Sequence, residues 1–227
     1  MTYNEQDCQD RIKMLEFGLT FFGAISASIS HELNNVLSII NQTAGLLQDL
    51  LYSSRQGKPI PEEKLSLIAE KINTQSDRGV AIIKRFNTFA HNLDDPLKEF
   101  DLNAVILNFI SVINRLANQK KIKLIPKLTV SPLNIVSNPF LIQLSLYYLL
   151  KKILLQNTGG GEVEISSHQN EAGITVQIKC PENLSGSIQS DENILQTLMK
   201  NIAAEYEFKT ENNYFFYLFK LIRNIDS

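Results

Sequence analysis

The first fifty residues carry a heptad pattern that is typical of a long helix in a bundle. Apolar side chains recur at alternating spacings of three and four from residue 12 to residue 50, and no proline interrupts them. Sustained over more than five heptads, this spacing predicts one long helix whose apolar seam packs on other helices. The heptad positions are Ile12, Leu15, Leu19, Phe22, Ser26, Ile29, Leu33, Val36, Ile40, Thr43, Leu47 and Leu50.

A second heptad follows a short turn. Residues 53–59 (SSRQGKP) are turn formers, and apolar heptad spacing resumes from Leu65 to Leu93, after which a proline at position 96 ends it. The two segments predict an antiparallel helical hairpin. Because two helices alone bury such seams poorly, we expect two hairpins to pair into a dimeric four-helix bundle. A monomer whose C-terminal half covers the seam is the alternative.

The second half of the chain alternates between helical and extended patterns. Alternating helices and strands favour a small α/β sandwich, with one sheet covered by helices on one face. The predicted fold class is therefore α+β, with a hairpin domain at residues 1–97 and a sandwich domain at residues 98–227. Helices are predicted at 102–118, 140–156 and 191–206, and strands at 121–129, 133–136, 162–167, 174–179 and 214–222.

Composition excludes several functional classes. The net charge of -2 and the pI of about 6.0 do not favour nucleic acid as a partner, because nucleic-acid-binding proteins carry a basic surplus. Cys8 and Cys180 lie far apart and form no metal-binding motif. No uninterrupted run of 18 apolar residues occurs, so we expect no membrane span and a cytoplasmic protein.

One histidine stands in an unusual position on the first helix. On the heptad, His31 falls at position f, opposite the apolar seam. Its neighbours Ala27, Ser28, Asn34 and Ser38 are small or amide side chains, so we predict an accessible surface where a partner docks. A neutral imidazole is a good nucleophile near pH 7 and accepts a phosphoryl group at a ring nitrogen.

Two further side chains are candidates for the same chemistry. Glu32 could hydrogen-bond the second ring nitrogen of His31, and Asn35 could orient a water or contact the phosphoryl group. An asparagine at position 35 excludes a zinc site of the HExxH type. A lone exposed histidine usually has no function, but the f position, the adjacent acid and the small neighbours together favour a catalytic set of His31, Glu32 and Asn35.

Residues 31–35 (HELNN) resemble the H box of sensor histidine kinases, on the first helix of their dimerisation and phosphotransfer domain. Residues 77–86 (DRGVAIIKRF) resemble the second helix of that domain, and residues 100–103 (FDLN) resemble the start of the family's ATP-binding domain. The resemblance implies that His31 is phosphorylated, that Glu32 assists the transfer, and that Asn35 occupies a position that affects phosphatase activity. The family commonly has proline where this chain has Val36.

The second domain departs from the family at its nucleotide motifs. Matching Asn138 and Pro139 to the start of the ATP-binding helix puts Tyr148 and Lys152 where the family has asparagines that bind phosphates and Mg²⁺. The aspartate- and glycine-rich motif expected after residue 179 is replaced by CPENLSG, and the second glycine-rich box, at residues 186–190, holds one glycine. We therefore expect the domain to keep the fold, to have lost ATP binding and to use no cofactor of its own.

These expectations combine into one functional hypothesis. The chain is predicted to be a histidine phosphotransferase of a phosphorelay, in which His31 accepts a phosphoryl group from one response-regulator receiver domain and passes it to another. Mg²⁺ would lie in the receiver. A homodimer, receiver domains and a hybrid histidine kinase are the expected partners. The alternatives are a dimeric pseudokinase adaptor, a response-regulator phosphatase that uses Asn35, and a sensor kinase with divergent ATP contacts.

Overall fold

The computed structural model describes residues 5–156, 159–170, 173–184 and 192–221. Two long helices come first, and shorter helices and strands alternate after them. The helices are α1 (Glu5–Arg55), α2 (Glu62–Ala90), α3 (Leu102–Gln119), α4 (Pro139–Gln156) and α5 (Glu192–Asn201), with 3-10 turns at His91–Leu93 and Glu182–Leu184. The strands are β1 (Lys98–Asp101), β2 (Ile122–Lys127), β3 (Asn134–Ser137), β4 (Gly161–Asn170), β5 (Gly173–Pro181), β6 (Ala204–Glu211) and β7 (Tyr214–Leu221).

The first two helices form the predicted hairpin. The turn between them follows Arg55, and Gly57 adopts a φ of 89°, a left-handed conformation that glycine takes without strain and that commonly ends a helix. Glu62 and Glu63 lie in the first turn of α2, where the helix dipole favours acidic side chains.

The length of α1 bears on the expectation that the chain has no membrane span. Its 51 residues would extend about 77 Å. By length and composition alone, the segment Cys8–Arg55 could cross a membrane, with a mean hydropathy of 1.4 over its most apolar 18-residue window. The core helix of a soluble protein and a signal sequence have the same properties, so this is weak evidence, and the expected lack of a span stays a prediction.

Contacts divide the chain into two compact units. The first, called the hairpin unit, is Ser26–Thr88, and the second, called the α/β unit, combines Met1–Ile25 with Phe89–Ser227. The predicted division at residues 97 and 98 follows the change from helices to strands along the chain. By contacts, the first part of α1 instead groups with the later residues, because its side chains help to form the core of the α/β unit.

The α/β unit contains two sheets, where one was predicted. The larger has the strand order β2-β4-β5-β7-β6, with β2 parallel to β4 and the other pairs antiparallel. Strand β3 was expected in this sheet but pairs with β1 in a separate two-stranded sheet. Asp101 links this sheet to α3, because its carboxylate accepts hydrogen bonds from the backbone N–H of Asn103 at 3.0 Å and of Leu133 at 2.9 Å.

The helix predicted at residues 191–206 is shorter, and a strand follows it. Helix α5 ends at Asn201, and residues Ala204–Glu211 form β6, which pairs with β7. The turn between the two strands is Asn212-Asn213, with φ angles of 52° and 65°, as a two-residue hairpin turn of type I′ requires. The alternation of acidic and aromatic side chains at 205–208 and the Asn-Asn pair are the sequence signals of this hairpin.

Aromatic side chains form the centre of the α/β unit. Phe21 of α1 is fully buried; its ring stacks on Tyr147 of α4 at a centroid distance of 4.4 Å and meets Phe89 edge-on at 5.3 Å. Phe109 and Phe140 complete the cluster around it. Such pairs contribute beyond their burial, so the first part of α1 is an integral part of this core.

Replacing Phe21 should therefore destabilise the α/β unit strongly. We expect Phe21→Ala to lower the free energy of unfolding by about 3–5 kcal/mol, because it removes buried area and leaves a cavity. Urea unfolding followed by circular dichroism measures this loss. The control is Thr20→Ala at the adjacent exposed position, for which a change within about 0.5 kcal/mol is expected. Equal losses for the two variants would contradict the packing described here.

Candidate functional site

His31 lies in the middle of α1, in the hairpin unit, with its side chain exposed. Ala27, Asn34, Asn35 and Ser38 are exposed as well. These side chains are small or short amides, so the imidazole is open to an approaching partner. This arrangement agrees with the surface expected from the sequence, except at Ser28.

Ser28 was predicted to belong to the docking surface, but it is buried, with 4% of its surface exposed. The reason is its angular position. Each residue of an α-helix turns by about 100°, so Ser28 lies about 60° from His31 and between His31 and Glu32 around α1. Glu32, on the far side of Ser28 from His31, pairs with Arg85 of α2. Ser28 therefore lies on the part of the α1 surface that turns towards α2, away from the accessible surface.

Glu32 is held by an arginine on the second helix. The guanidinium of Arg85 in α2 donates a hydrogen bond to the Glu32 carboxylate, and the two side chains are 30% and 14% exposed, respectively. Charge-assisted pairs that are partly withdrawn from water are stronger than pairs on an open surface. The carboxylate is therefore directed across the hairpin, towards α2.

This geometry bears on the role predicted for Glu32. Adjacent helical residues do not face one another, and the partner that the structure describes for the carboxylate is Arg85 rather than His31. Sequence reasoning missed Arg85, although it lies within residues 77–86. Its pairing depends on the register between two antiparallel helices, 53 positions apart in sequence. The available signal was a basic residue placed opposite Glu32 when the two heptads are aligned antiparallel.

A groove lies between the two helices of the hairpin unit. Its volume is about 330 Å³, and its walls are mainly apolar with two lysines. Around α1, Gln42 lies about 20° from His31 and about 16 Å further along the axis. The other α1 residues of the groove lie about 60–120° from His31, on the side towards α2. The lining residues are Gln42, Thr43, Leu46, Leu50, Lys64, Leu67, Ile68 and Lys71.

Tyr148 and Lys152, the two residues expected to replace nucleotide-binding asparagines, lie on α4. Tyr148 is buried, with 6% of its surface exposed, and the ring of Phe17 meets it edge-on at a centroid distance of 5.3 Å. The ammonium group of Lys152 lies over the Tyr148 ring, 4.4 Å from its centroid, as in a cation–π contact. Both side chains are thus engaged in packing within the α/β unit.

The start of α4 has a structural role. The Asn138 side-chain oxygen accepts a hydrogen bond from the backbone N–H of Leu141 at 2.9 Å, and Pro139 occupies the first helical position.

At the other end of α4, Gly160 has a φ of 81°, and a β-carbon there would stand 2.8 Å from the Lys121 carbonyl oxygen. Glycine is therefore required in this connection between helix and strand.

The other nucleotide motifs are described only in part. Residues 180–184 form the end of β5 and a 3-10 turn, whereas residues 186–190, the expected second glycine-rich box, lie outside the described residues. Across the ranges 5–156, 159–170, 173–184 and 192–221, no group of three or more histidine, cysteine, aspartate or glutamate side chains is placed to hold a metal ion.

Comparisons with known proteins find likeness in structure alone. No family model matches the chain, and no curated protein matches it. The histidine kinase AdeS of Acinetobacter baumannii is 14% identical, over 81% of this chain and 96% of that one, with a TM-score of 0.47. Histidine kinase ThkA, in a crystal structure with the response regulator TrrA, is 15% identical over 99% of this chain and 68% of that one, with a TM-score of 0.47.

A third solved structure, described as a bacterial phosphotransferase, is 8% identical over 88% of this chain and 96% of that one, with a TM-score of 0.43. The expected resemblance to histidine kinases is thus found among solved structures. The helices and sheets of the chain itself confirm the α+β fold class. At identities and TM-scores this low, the likeness assigns no activity to the chain, which must be inferred from its own residues.

The two cysteines are predicted to differ in reactivity. Cys8 is exposed, whereas burial of Cys180 in β5 raises the pKa of its thiol to about 12. Since the thiolate is the reactive form, we expect a maleimide at pH 8 to label Cys8 rapidly in the native protein and Cys180 only after unfolding. Mass spectrometry of the labelled peptides measures both rates. The variant Cys8→Ser should lose the rapid phase, and rapid native labelling at Cys180 would contradict its burial.

Proposed function

We propose that this chain is a histidine phosphotransferase of a two-component phosphorelay. His31 takes a phosphoryl group from the aspartyl phosphate of a receiver domain and passes it to a second receiver. The observation that carries the proposal is the exposed imidazole of His31 in the middle of a helical hairpin, bordered by small exposed side chains and by the partly buried pair of Glu32 and Arg85.

The proposed chemistry is an in-line displacement at phosphorus. A ring nitrogen of neutral His31 attacks the phosphoryl group, a P–N bond forms, the P–O bond to the receiver aspartate breaks, and the carboxylate leaves. Such transfers depend mainly on positioning and on neutralising the phosphoryl charge, and the receiver would supply Mg²⁺ for the latter. Glu32 would offset the positive charge on the imidazole, and Asn35 would contact the phosphoryl group.

The groove of the hairpin unit supports a receiver as the partner. The exposed side chains of Leu46 and Leu67 offer an apolar surface, and Lys64 and Lys71 add positive charge, so a helix with apolar and acidic side chains fits there. The groove lies further along α1 than His31, so a domain docked there would have to extend about 16 Å along the helix to reach the imidazole. A response regulator is also the partner of ThkA in its crystal structure.

A homodimer is part of the proposal. The hairpin unit leaves large apolar side chains exposed beside its seam, at 38–64% of their surface, and these are Leu37, Leu65, Val80 and Ile83. A second hairpin would cover them in a four-helix bundle. We also propose a cytoplasmic location, since Cys8 is an exposed free thiol and such thiols persist in reducing compartments.

Phosphotransfer from a receiver tests the proposal directly. A receiver domain carrying ³²P on its aspartate should label the wild-type protein and should not label His31→Ala, because the acceptor nitrogen is gone. His91→Ala, at an exposed histidine outside the hairpin unit, is the matched control and should be labelled as the wild type is. Labelling of His31→Ala, or no labelling of the wild type by any receiver of the source organism, would contradict the function.

The same assay separates the alternative functions. A phosphatase would speed the loss of ³²P from the receiver without labelled protein, in a manner that depends on Asn35 and tolerates His31→Ala. An adaptor would bind the receiver equally well with and without His31 and would transfer nothing.

Loss of ATP binding is a separate prediction. The packing of Phe17, Tyr148 and Lys152 supports it, since these side chains occupy the face of α4 where the resemblance would place phosphate ligands. A ligand that binds the native state raises its melting temperature. We expect millimolar Mg·ATP to leave the melting temperature unchanged and [γ-³²P]ATP to leave the protein unlabelled. A nucleotide-dependent rise, absent with Mg²⁺ alone, would overturn this prediction and favour a kinase.

A further inference from the structure

The pair of Glu32 and Arg85 differs from an ordinary surface ion pair. Only 14% of the Glu32 side chain is exposed, and the two partners come from different helices of the hairpin unit. A carboxylate that is largely withdrawn from water depends on its cation, because water no longer stabilises its charge. Arg85 therefore determines where the Glu32 carboxylate lies.

The carboxylate stands next to the phosphoacceptor along the chain. The α-carbons of His31 and Glu32 differ by about 1.5 Å in height along α1, while their side chains diverge by about 100° around the axis. A free glutamate side chain at this position would sample several rotamers, many of them directed into solvent. The hydrogen bond from Arg85 selects those that keep the carboxylate on the side of α1 facing α2.

We propose that Arg85 is a positioning residue of the phosphotransfer site, which acts by holding the Glu32 carboxylate on the side of α1 that faces α2. This inference rests on the proposed function and deepens it. It assigns to α2 a residue on which the rate of transfer depends, through the hydrogen bond that Arg85 donates to Glu32. Loss of Arg85 should then slow transfer only through its effect on Glu32. It should have no further effect where Glu32 is already replaced.

A double-mutant cycle tests this dependence. The variants are Arg85→Met, Glu32→Gln and the combination of the two. Methionine keeps most of the aliphatic stem of arginine. The readout is the rate of ³²P transfer from a phosphorylated receiver at a range of receiver concentrations. We expect Arg85→Met to lower kcat at least about tenfold with KM unchanged, since a positioned acid–base group contributes on the order of 10²–10⁴ to a rate. The combined variant should be no slower than Glu32→Gln alone.

Two controls separate positioning from other roles. Arg85→Lys keeps a cation and should restore part of kcat, and Arg78→Met, at an exposed arginine of the same helix, should leave both parameters unchanged. Circular dichroism of each variant checks that the hairpin is folded. If Arg85→Met unfolds it, Arg85→Lys takes its place in the cycle, and the variant that combines Arg85→Lys with Glu32→Gln is compared with Glu32→Gln alone.

The outcomes distinguish this inference from the function on which it rests. Losses that multiply in the combined variant, or a rise in KM with kcat unchanged, would overturn the positioning role while leaving the phosphotransferase intact. Wild-type protein that no receiver labels would overturn the proposed function, and the role of Arg85 with it.

Discussion

Burial of the apolar sides of α1 is the constraint on which the rest of the structure depends. This helix contributes Phe21 to the core of the α/β unit and Val36 to the core of the hairpin unit, both almost completely removed from water. Within the hairpin unit, α1 cannot turn about its own axis without exposing Val36 and its neighbours on the apolar seam. The exposed strip that carries His31 is fixed by the same packing.

The candidate site combines an accessible imidazole with a charge pair that is less accessible. His31 is exposed, whereas Glu32 lies against Arg85 between the two helices. Such a division suits transfer between proteins, because the group that meets the partner must be reachable while the groups that tune it must be held in place. The groove further along α1 adds an apolar surface for a partner, so recognition and chemistry would both take place on the hairpin unit.

Much of the fold could be predicted from patterns that are local in sequence. The heptads gave both long helices, and the period-two alternation gave β4, β5 and β7, because side-chain direction follows directly from the backbone repeat. The end of α5 and strand β6 differ from the prediction, although the Asn212-Asn213 pair is a signal of the hairpin turn. The pairing of β3 with β1 and the inclusion of residues up to Ile25 in the α/β unit were missed because they depend on contacts between distant segments.

The sequence by itself determined that His31 stands on the exposed side of a long helix beside an acid and small neighbours. The heptad pattern is sufficient for this, because the helical repeat fixes the direction of each side chain relative to the apolar seam. Only the tertiary structure decided that Ser28 is buried, that Arg85 holds Glu32, and that Phe17 and Lys152 pack around Tyr148. Each of these contacts depends on the register of one element against another. That register is set by the summed packing of many side chains, and no local pattern specifies it.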